Sequence, residues 1–357
     1  PTITADAGAS ISHRNDARLD NYSADIGFSA FEIDLFGRVR SLTQAALESY
    51  LATEEGARAT RIAMIAETAS AYATLAADQD LLALARQTQA SAQRTLDLTR
   101  TLNAAGLAGK LDVHQAETIV EQAASDVAAT VTQVAQDRNA LDLLAGAPVE
   151  DALLPQSLDS LISGIARVPA GLSSDILLQR PDVLQAEHQL KAANADVGAA
   201  RAAMFPTISL TSAIGVASTA LSSLFGSDAF GWSASPSASL PIFGGPNRGN
   251  LDYSKAQRDL YLAQYEKAIQ TAFREVADGL ARAGTIDAQQ VAQRRLVIAS
   301  SRAYDLAEQR YRAGIDTFLT ALNSQRSLYN AQQSAIATDL ALVNNRVLLY
   351  RVIGADQ

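Results

Sequence analysis

The sequence predicts a mainly helical protein with a smaller β part, built as a two-fold repeat of a β-hairpin followed by two long antiparallel helices. Three observations carry that prediction. First, sliding the 357-residue chain along itself by about 208 positions sets Leu98 on Leu306, Ala105-Gly106 on Ala313-Gly314, Leu111 on Leu319, Arg138 on Arg346 and Gly146-Ala147 on Gly354-Ala355. Phe36-Gly37 matches Phe243-Gly244 with one gap, so about 110 residues recur, and two copies are too few for a solenoid. Second, residues 38–103 and 247–312 contain no proline; all nine prolines fall elsewhere. Third, each proline-free stretch follows a segment that alternates apolar and polar residues.

In chain order, Ile3, Ala5, Ala7, Ala9 and Ile11 alternate with Thr2, Thr4, Asp6, Gly8, Ser10 and Ser12. A polar loop is expected at 13–21. The alternation then resumes with Tyr22, Ala24, Ile26, Phe28 and Ala30, which reads as a hairpin with one apolar face. The second copy sets Ile208, Leu210, Ile214 and Val216 against Thr207, Ser209, Thr211 and Gly215. Its return strand sets Phe230, Trp232, Ala234, Ala238 and Leu240 against Ser233, Ser235, Ser237 and Ser239. Strands of about ten residues with a small polar face suit a transmembrane β-barrel. Tyr22, Phe28, Phe230 and Trp232 then become candidate interfacial aromatics. Four strands cannot close a barrel, and edges inside a membrane must be paired, so several protomers are expected to supply strands.

A helix of about 65 residues spans roughly 100 Å, longer than an ordinary domain. In the first of them Ile62, Ile65, Ala66, Ala69 and Ala73 mark an apolar stripe. Glycines at Gly106 and Gly314 supply the positive φ that ends each helix and reverses the chain. The returning helices carry heptads: Val113, Val120, Val127, Val134 and Leu141 in one, Ala321, Leu328, Ala335, Leu342 and Leu349 in the other. Beside each runs a second row of small or polar residues, Ala116, Ala123, Thr130, Asp137 and Leu144, then Ser324, Ala331, Thr338, Asn345 and Val352. That row is expected to permit close approach while contributing little burial. Between the copies, Pro148, Pro155, Pro169, Gly164 and Gly171 mark an irregular connector, ending where Asp182 is expected to N-cap a shorter helix over about 182–203.

Composition narrows the function. The net charge of −9 argues against a nucleic-acid partner. With no cysteine there is no thiolate nucleophile and no zinc–cysteine site, and the redox compartment stays open. No apolar run is long enough for a transmembrane helix. His13, His114 and His188 are scattered and read as solvated or packing residues, and carboxylate pairs such as Glu54-Glu55 read as helix surface. No phosphate cradle or nucleophile elbow appears, so neither an enzyme nor a cofactor is expected. The start at Pro1, without methionine or an apolar leader, is expected to mark a fragment whose missing N-terminus carries a further helix and any targeting signal.

Several motifs resemble the TolC-type outer-membrane efflux proteins, in particular the OprM/NodT-like lipoprotein branch. They are Phe31-Glu-Ile-Asp-Leu-Phe-Gly-Arg-Val-Arg40, Gln179-Arg-Pro-Asp-Val-Leu-Gln-Ala-Glu187, Phe205-Pro-Thr-Ile-Ser209, Leu240-Pro-Ile-Phe-Gly244 and Tyr311-Arg-Ala-Gly-Ile315 with the Leu319-Thr-Ala-Leu-Asn323 that follows. The resemblance implies a homotrimer in Gram-negative outer-membrane lipid, with a 12-stranded β-barrel joined to a 12-helix periplasmic α-barrel. Residues 1–37 and 204–246 would be its barrel hairpins, and 38–146 and 247–357 its long helical hairpins. Residues 147–181 would be the equatorial connector and 182–203 a shorter helix. The implied partners are a periplasmic adaptor and an inner-membrane pump of the RND type, and the branch implies a lipid anchor on an N-terminal cysteine outside this sequence.

The resemblance further places Leu319, Thr320 and Asn323 at a pore gate. Relatives commonly carry aspartate at the position of Asn323, and some at that of Thr320, so the ring here is expected to be apolar and neutral. Asp112 and Tyr311 match a carboxylate and a tyrosine that lock the closed tip. Asp316 replaces the arginine of that lock, with Arg312 expected to assist. Gly106, Leu107, Gly314 and Ile315 match the tip where adaptor hairpins dock. Two other classes remain open on the residues alone: a coiled-coil adaptor without a pore, and an envelope enzyme.

Overall fold

The computed structural model describes residues 2–14, 17–167, 174–243 and 245–354. Pro169, Gly171, Gly244 and Ala355, used above, lie outside the described residues. The chain runs β1 (Thr4–Arg14), β2 (Ala17–Glu32), α1 (Arg38–Ala104), α2 (Lys110–Ala145), α3 (Leu158–Gly164), α4 (Pro181–Ala202), β3 (Thr207–Ser218), β4 (Phe230–Ser239), α5 (Asn247–Arg312) and α6 (Phe318–Val352). By contacts it divides into two units, Pro1–Glu55 with Leu184–Ala268, and Gly56–Val183 with Ile269–Gln357.

In the first unit the four strands form one antiparallel sheet in the order β1-β2-β3-β4. The loop expected at 13–21 is much shorter. Pairing continues through Ile11↔Asp20 and Ser12↔Leu19, because backbone hydrogen bonds carry the ladder past the point where side-chain alternation fades. Ala30 also leaves the face assigned to it. A bulge between Phe28 and Phe31 puts Ala30 at φ 50°, its N–H donates to Thr211 Oγ1 at 3.0 Å, and Phe31 takes the apolar position opposite Leu210. Helix α4 packs closely on α1, where a Cβ at Gly198 would come within 3.0 Å of Ser41 Oγ.

In the second unit the helices carry most of the core. One cluster joins Leu96, Ala116, Ala307, Tyr311, Phe318 and Leu322; another joins Ala73, Ala76, Ala77, Leu158, Val343 and Val347, with α3 docked on it. The small heptad row supplies more of this core than expected: Ala116, Ala123, Ala331, Thr338, Asn345 and Val352 are all buried. Small side chains let the backbones approach until little water remains between them. Ile65, placed on the apolar stripe, is instead exposed. Asp182 is not an N-cap. Pro181 opens α4, and the Asp182 carboxylate accepts from Arg180 and from its neighbour's N–H on Val183.

Candidate functional site

Three places hold the candidate residues: the sheet, the joint between strand and helix, and the two helix reversals. On the sheet, register draws the sequence alternation into continuous rows. Ala5, Ile26, Ile214 and Trp232 lie side by side across all four strands, as do Ala7, Ala24, Val216 and Phe230. This apolar face is open, with Trp232 74% exposed and Ile26, Ile214 and Phe230 exposed as well. Such a row facing solvent is unfavourable in water and suits contact with lipid. The opposite face is built from Thr4, Gly27, Ala213 and Ser233, then Asp6, Asp25, Gly215 and Gly231. At Gly215 only hydrogen fits: a Cβ there would sit 2.3 Å from the Ala24 carbonyl oxygen and 2.5 Å from Asp25 Cβ. Of the four aromatics singled out, Tyr22, Phe230 and Trp232 lie toward the turn ends of the hairpins. Phe28 lies toward the helix ends and meets Phe31 edge-on at 5.9 Å.

The joint explains the Phe31–Arg40 motif physically. Asp34 accepts from the backbone N–H groups of Val39 and Arg40 at 3.1 and 2.9 Å, satisfying the first turn of α1. Gly37 turns the chain with φ 80°, and Glu32 pairs with Arg38 across the bend. Phe36 stacks on Phe205 with centroids 4.8 Å apart, which ties this motif to the second one at 205–209. Sequence reasoning left Phe36 and Phe205 out of the aromatic set, since they lie beyond the alternating segments.

At the reversals both copies use one backbone device. Leu107 N–H donates to Leu102 O at 2.8 Å and Ile315 N–H to Arg310 O at 2.9 Å, around Gly106 and Gly314 at φ 73° and 69°. Leu107 and Ile315 project into solvent, Leu107 with 77% of its surface free. Among the gate candidates, Leu319, Thr320 and Asn323 are exposed on the first turns of α6, and the Thr320 hydroxyl lies 3.2 Å from that of Thr317.

The lock candidates do not converge within the chain. Tyr311 is 6% exposed, packs edge-on against Phe318 at 5.4 Å and donates to Thr99 Oγ1 at 3.2 Å. Burial pushes its hydroxyl above the ordinary tyrosine range, and the negative field of Asp112 adds to this. Asp112 caps its own helix by accepting from Gly109 N–H at 3.1 Å. Asp316 pairs with Arg310, whose hydrogen bond holds its carboxyl below the usual range, while Arg312 pairs with Glu308 at 2.6 Å. Within the chain the partner of Asp316 is therefore Arg310, whose guanidinium reaches into the turn that Asp316 occupies, and that of Arg312 is Glu308.

A family model described as outer membrane efflux protein matches residues 1–147 and 172–355. The chain belongs to that family. The toluene efflux pump outer membrane protein TtgC of Pseudomonas putida is 49% identical over 335 residues, 93% of this chain and 69% of TtgC. The solvent efflux pump outer membrane protein SrpC of Pseudomonas putida is 46% identical over 345 residues, 96% of this chain and 73% of SrpC. Among solved structures, the open state of the Neisseria gonorrhoeae MtrE outer membrane channel aligns with a TM-score of 0.88 at 35% identity, covering 99% of this chain and 80% of MtrE. Outer membrane efflux proteins are channels, not enzymes.

Within this family member, ionic contacts that sequence reasoning missed tie distant segments together. Arg180, 7% exposed, donates to Asp182 at 2.7 and 3.0 Å, to Glu275 at 2.9 Å and to the Val352 carbonyl at 3.2 Å. Two carboxylates and a carbonyl satisfy this buried guanidinium, and its charge would be left uncompensated only if both carboxylates were lost. His188, read above as a solvated or packing residue, sits 2.6 Å from Glu48 and holds that carboxyl below its usual range. The partners are 140 positions apart, so no local pattern announces them. Among the described residues no cluster of potential metal ligands occurs, and no helix is long and apolar enough to cross a membrane.

Proposed function

We propose that this chain is one protomer of a homotrimeric exit duct in the outer membrane, the last component of a tripartite efflux pump. The observation that carries the reading is the sheet: four strands, one open apolar face, one face of small polar residues, and two edges without partners among the described residues. Three such sheets close a 12-stranded barrel, leaving the apolar face to lipid and the small polar face to a wet lumen. Residues 38–146 and 247–357 supply the helical wall of the duct, with 182–203 beside it and 147–181 forming its equatorial connector. Transport is passive. The Pseudomonas putida relatives are named for toluene and solvent efflux, and this chain passes small apolar or amphiphilic compounds of that kind.

The reversals form the periplasmic mouth. Leu107 and Ile315, exposed and apolar beside their glycines, receive the hairpins of a periplasmic adaptor that links the duct to an RND-type pump in the inner membrane. Leu319, with Thr320 and Asn323 beneath it, forms a constriction that blocks ions by dewetting. The lock works through burial of Tyr311 and capping by Asp112, with Arg310 in the ionic role and Arg312 outside it. Planar-bilayer recording tests the gate: Leu319→Ser raises the closed-state conductance severalfold. Conductance equal to that of the unsubstituted protein removes Leu319 from the gate.

A further inference from the structure

In the second unit, tyrosine hydroxyls join the two helical hairpins. On the α1–α5 side Tyr311 donates to Thr99, and one heptad earlier the Tyr304 hydroxyl lies 3.3 Å from that of Ser91. On the α2–α6 side Tyr329 donates to Asp126 Oδ2 at 3.3 Å, while Gln122 holds the other carboxylate oxygen at 2.9 Å. Each tyrosine belongs to the second hairpin and each partner to the first. The helix period sets this up. Tyr304 and Tyr311 share a face of α5, and Tyr329 continues the buried stripe of Phe318, Leu322 and Gln325 on α6. Along α1, Ser91, Thr95 and Thr99 follow at four-residue steps; Thr95 and Thr99 are buried and donate to carbonyls of their own helix. An aliphatic seam costs free energy over its whole area when it parts, whereas hydroxyls trade a protein partner for water at little net cost. A seam of hydroxyls holds position and still releases.

We propose that Tyr304 and Tyr329 are positioning residues of the gate. They latch the second hairpin, which carries Leu319, against the first, and extend the hold of Tyr311 about 10 Å and about 17 Å up the helices from the reversal. The proposal rests on the duct reading and adds that the hold is spread along the seam. Its test is the open probability of the purified full chain in planar bilayers. Tyr304→Phe and Tyr329→Phe, which delete one hydroxyl each, are expected to raise it at least about fivefold. Ser91→Ala and Asp126→Ala reproduce the effects of their partners, and combining each with its partner's variant brings no further increase. Asp126→Asn, which keeps an accepting oxygen, stays near the unsubstituted protein. Thermal melts establish that each variant is folded. Unchanged open probability overturns the proposal, as do effects that add in the paired variants, or a lowered melting temperature without any change in gating. A second readout needs no conduction. The chain has no cysteine of its own, so nitroxides go to Gln93→Cys on α1 and Arg302→Cys on α5, both exposed, in labelled chains diluted with unlabelled chains of the same variant. Their separation in detergent is expected to lengthen and broaden in Tyr304→Phe, and further when Tyr329→Phe is added; an unchanged distribution overturns the latch. A protein that does not conduct removes the duct reading, and the spin separation then decides the latch by itself.

Discussion

Asp78 on α1 and Asp137 on α2 bring two carboxyls together between helices of the same hairpin. Burial first, and then the hydrogen bond and charge of Asp137, push Asp78 from 3.8 up to about 7. Asp137 accepts from Gln133 through Oδ1 at 3.1 Å, while its buried Oδ2 has no partner among the described groups; a protonated Asp78 supplies the missing donor. The sign follows from proton binding. Between the unfolded and folded values the folded state holds the extra proton, so its stabilisation is complete below about pH 4 and is lost as pH rises through about 7. Asp78→Asn is therefore expected to stabilise the protein at pH 8 by about 1 kcal/mol, a figure reduced for the water that still reaches the pair. Its melting temperature should also vary less between pH 5 and pH 8. Identical pH dependence in both proteins would count against a shared proton.

At the scale of elements, the β2–β3 seam depends on glycine where the backbones approach most closely. Gly215→Val places a branched side chain against the Ala24 carbonyl and Asp25, and the strands must part to admit it. The expected cost exceeds about 3 kcal/mol. It should appear as loss of the heat-modifiable folded band in the outer-membrane fraction, and a normal yield of folded protein would show that the seam can relax. The strands and long helices were legible because their periods, 2 and about 3.5, are local properties of the sequence. The bulge at Phe28/Phe31 was not, since it is fixed by the partner strand through Thr211. Nor was the buried rank of Ala116 and Ala331, because hydrophobic size predicts transfer energy and says little about how closely two backbones approach. The tip glycines were legible from their spacing, whereas the pairing of Asp316 with Arg310 rather than Arg312 depends on the rotation of the final turn of α5.

For the whole molecule, the decisive feature is a sheet that stops at β1 and β4 with apolar residues exposed along its rows. Unpaired edges in hydrocarbon cost several kcal/mol for each orphaned backbone group, so a lone protomer has no stable place there. Light scattering of the detergent-extracted protein, corrected for bound micelle, is expected to give three times the chain mass. A monomer would leave the barrel unclosed and remove the duct reading together with its gate. The same assembly would set the proposed adaptor sites at Leu107 and Ile315 three times around one axis.

Open edges have a consequence in genetics. On the proposed reading each chain is both a wall segment and the template for its neighbours, so a defective edge on one chain disables a whole ring. Where equal amounts of sound and edge-damaged chains are made and mix freely, only about one ring in eight contains three sound chains. Lesions in β1 and β4 would then be dominant. Damage confined to the far ends of the helices would leave the ring closed and remain recessive.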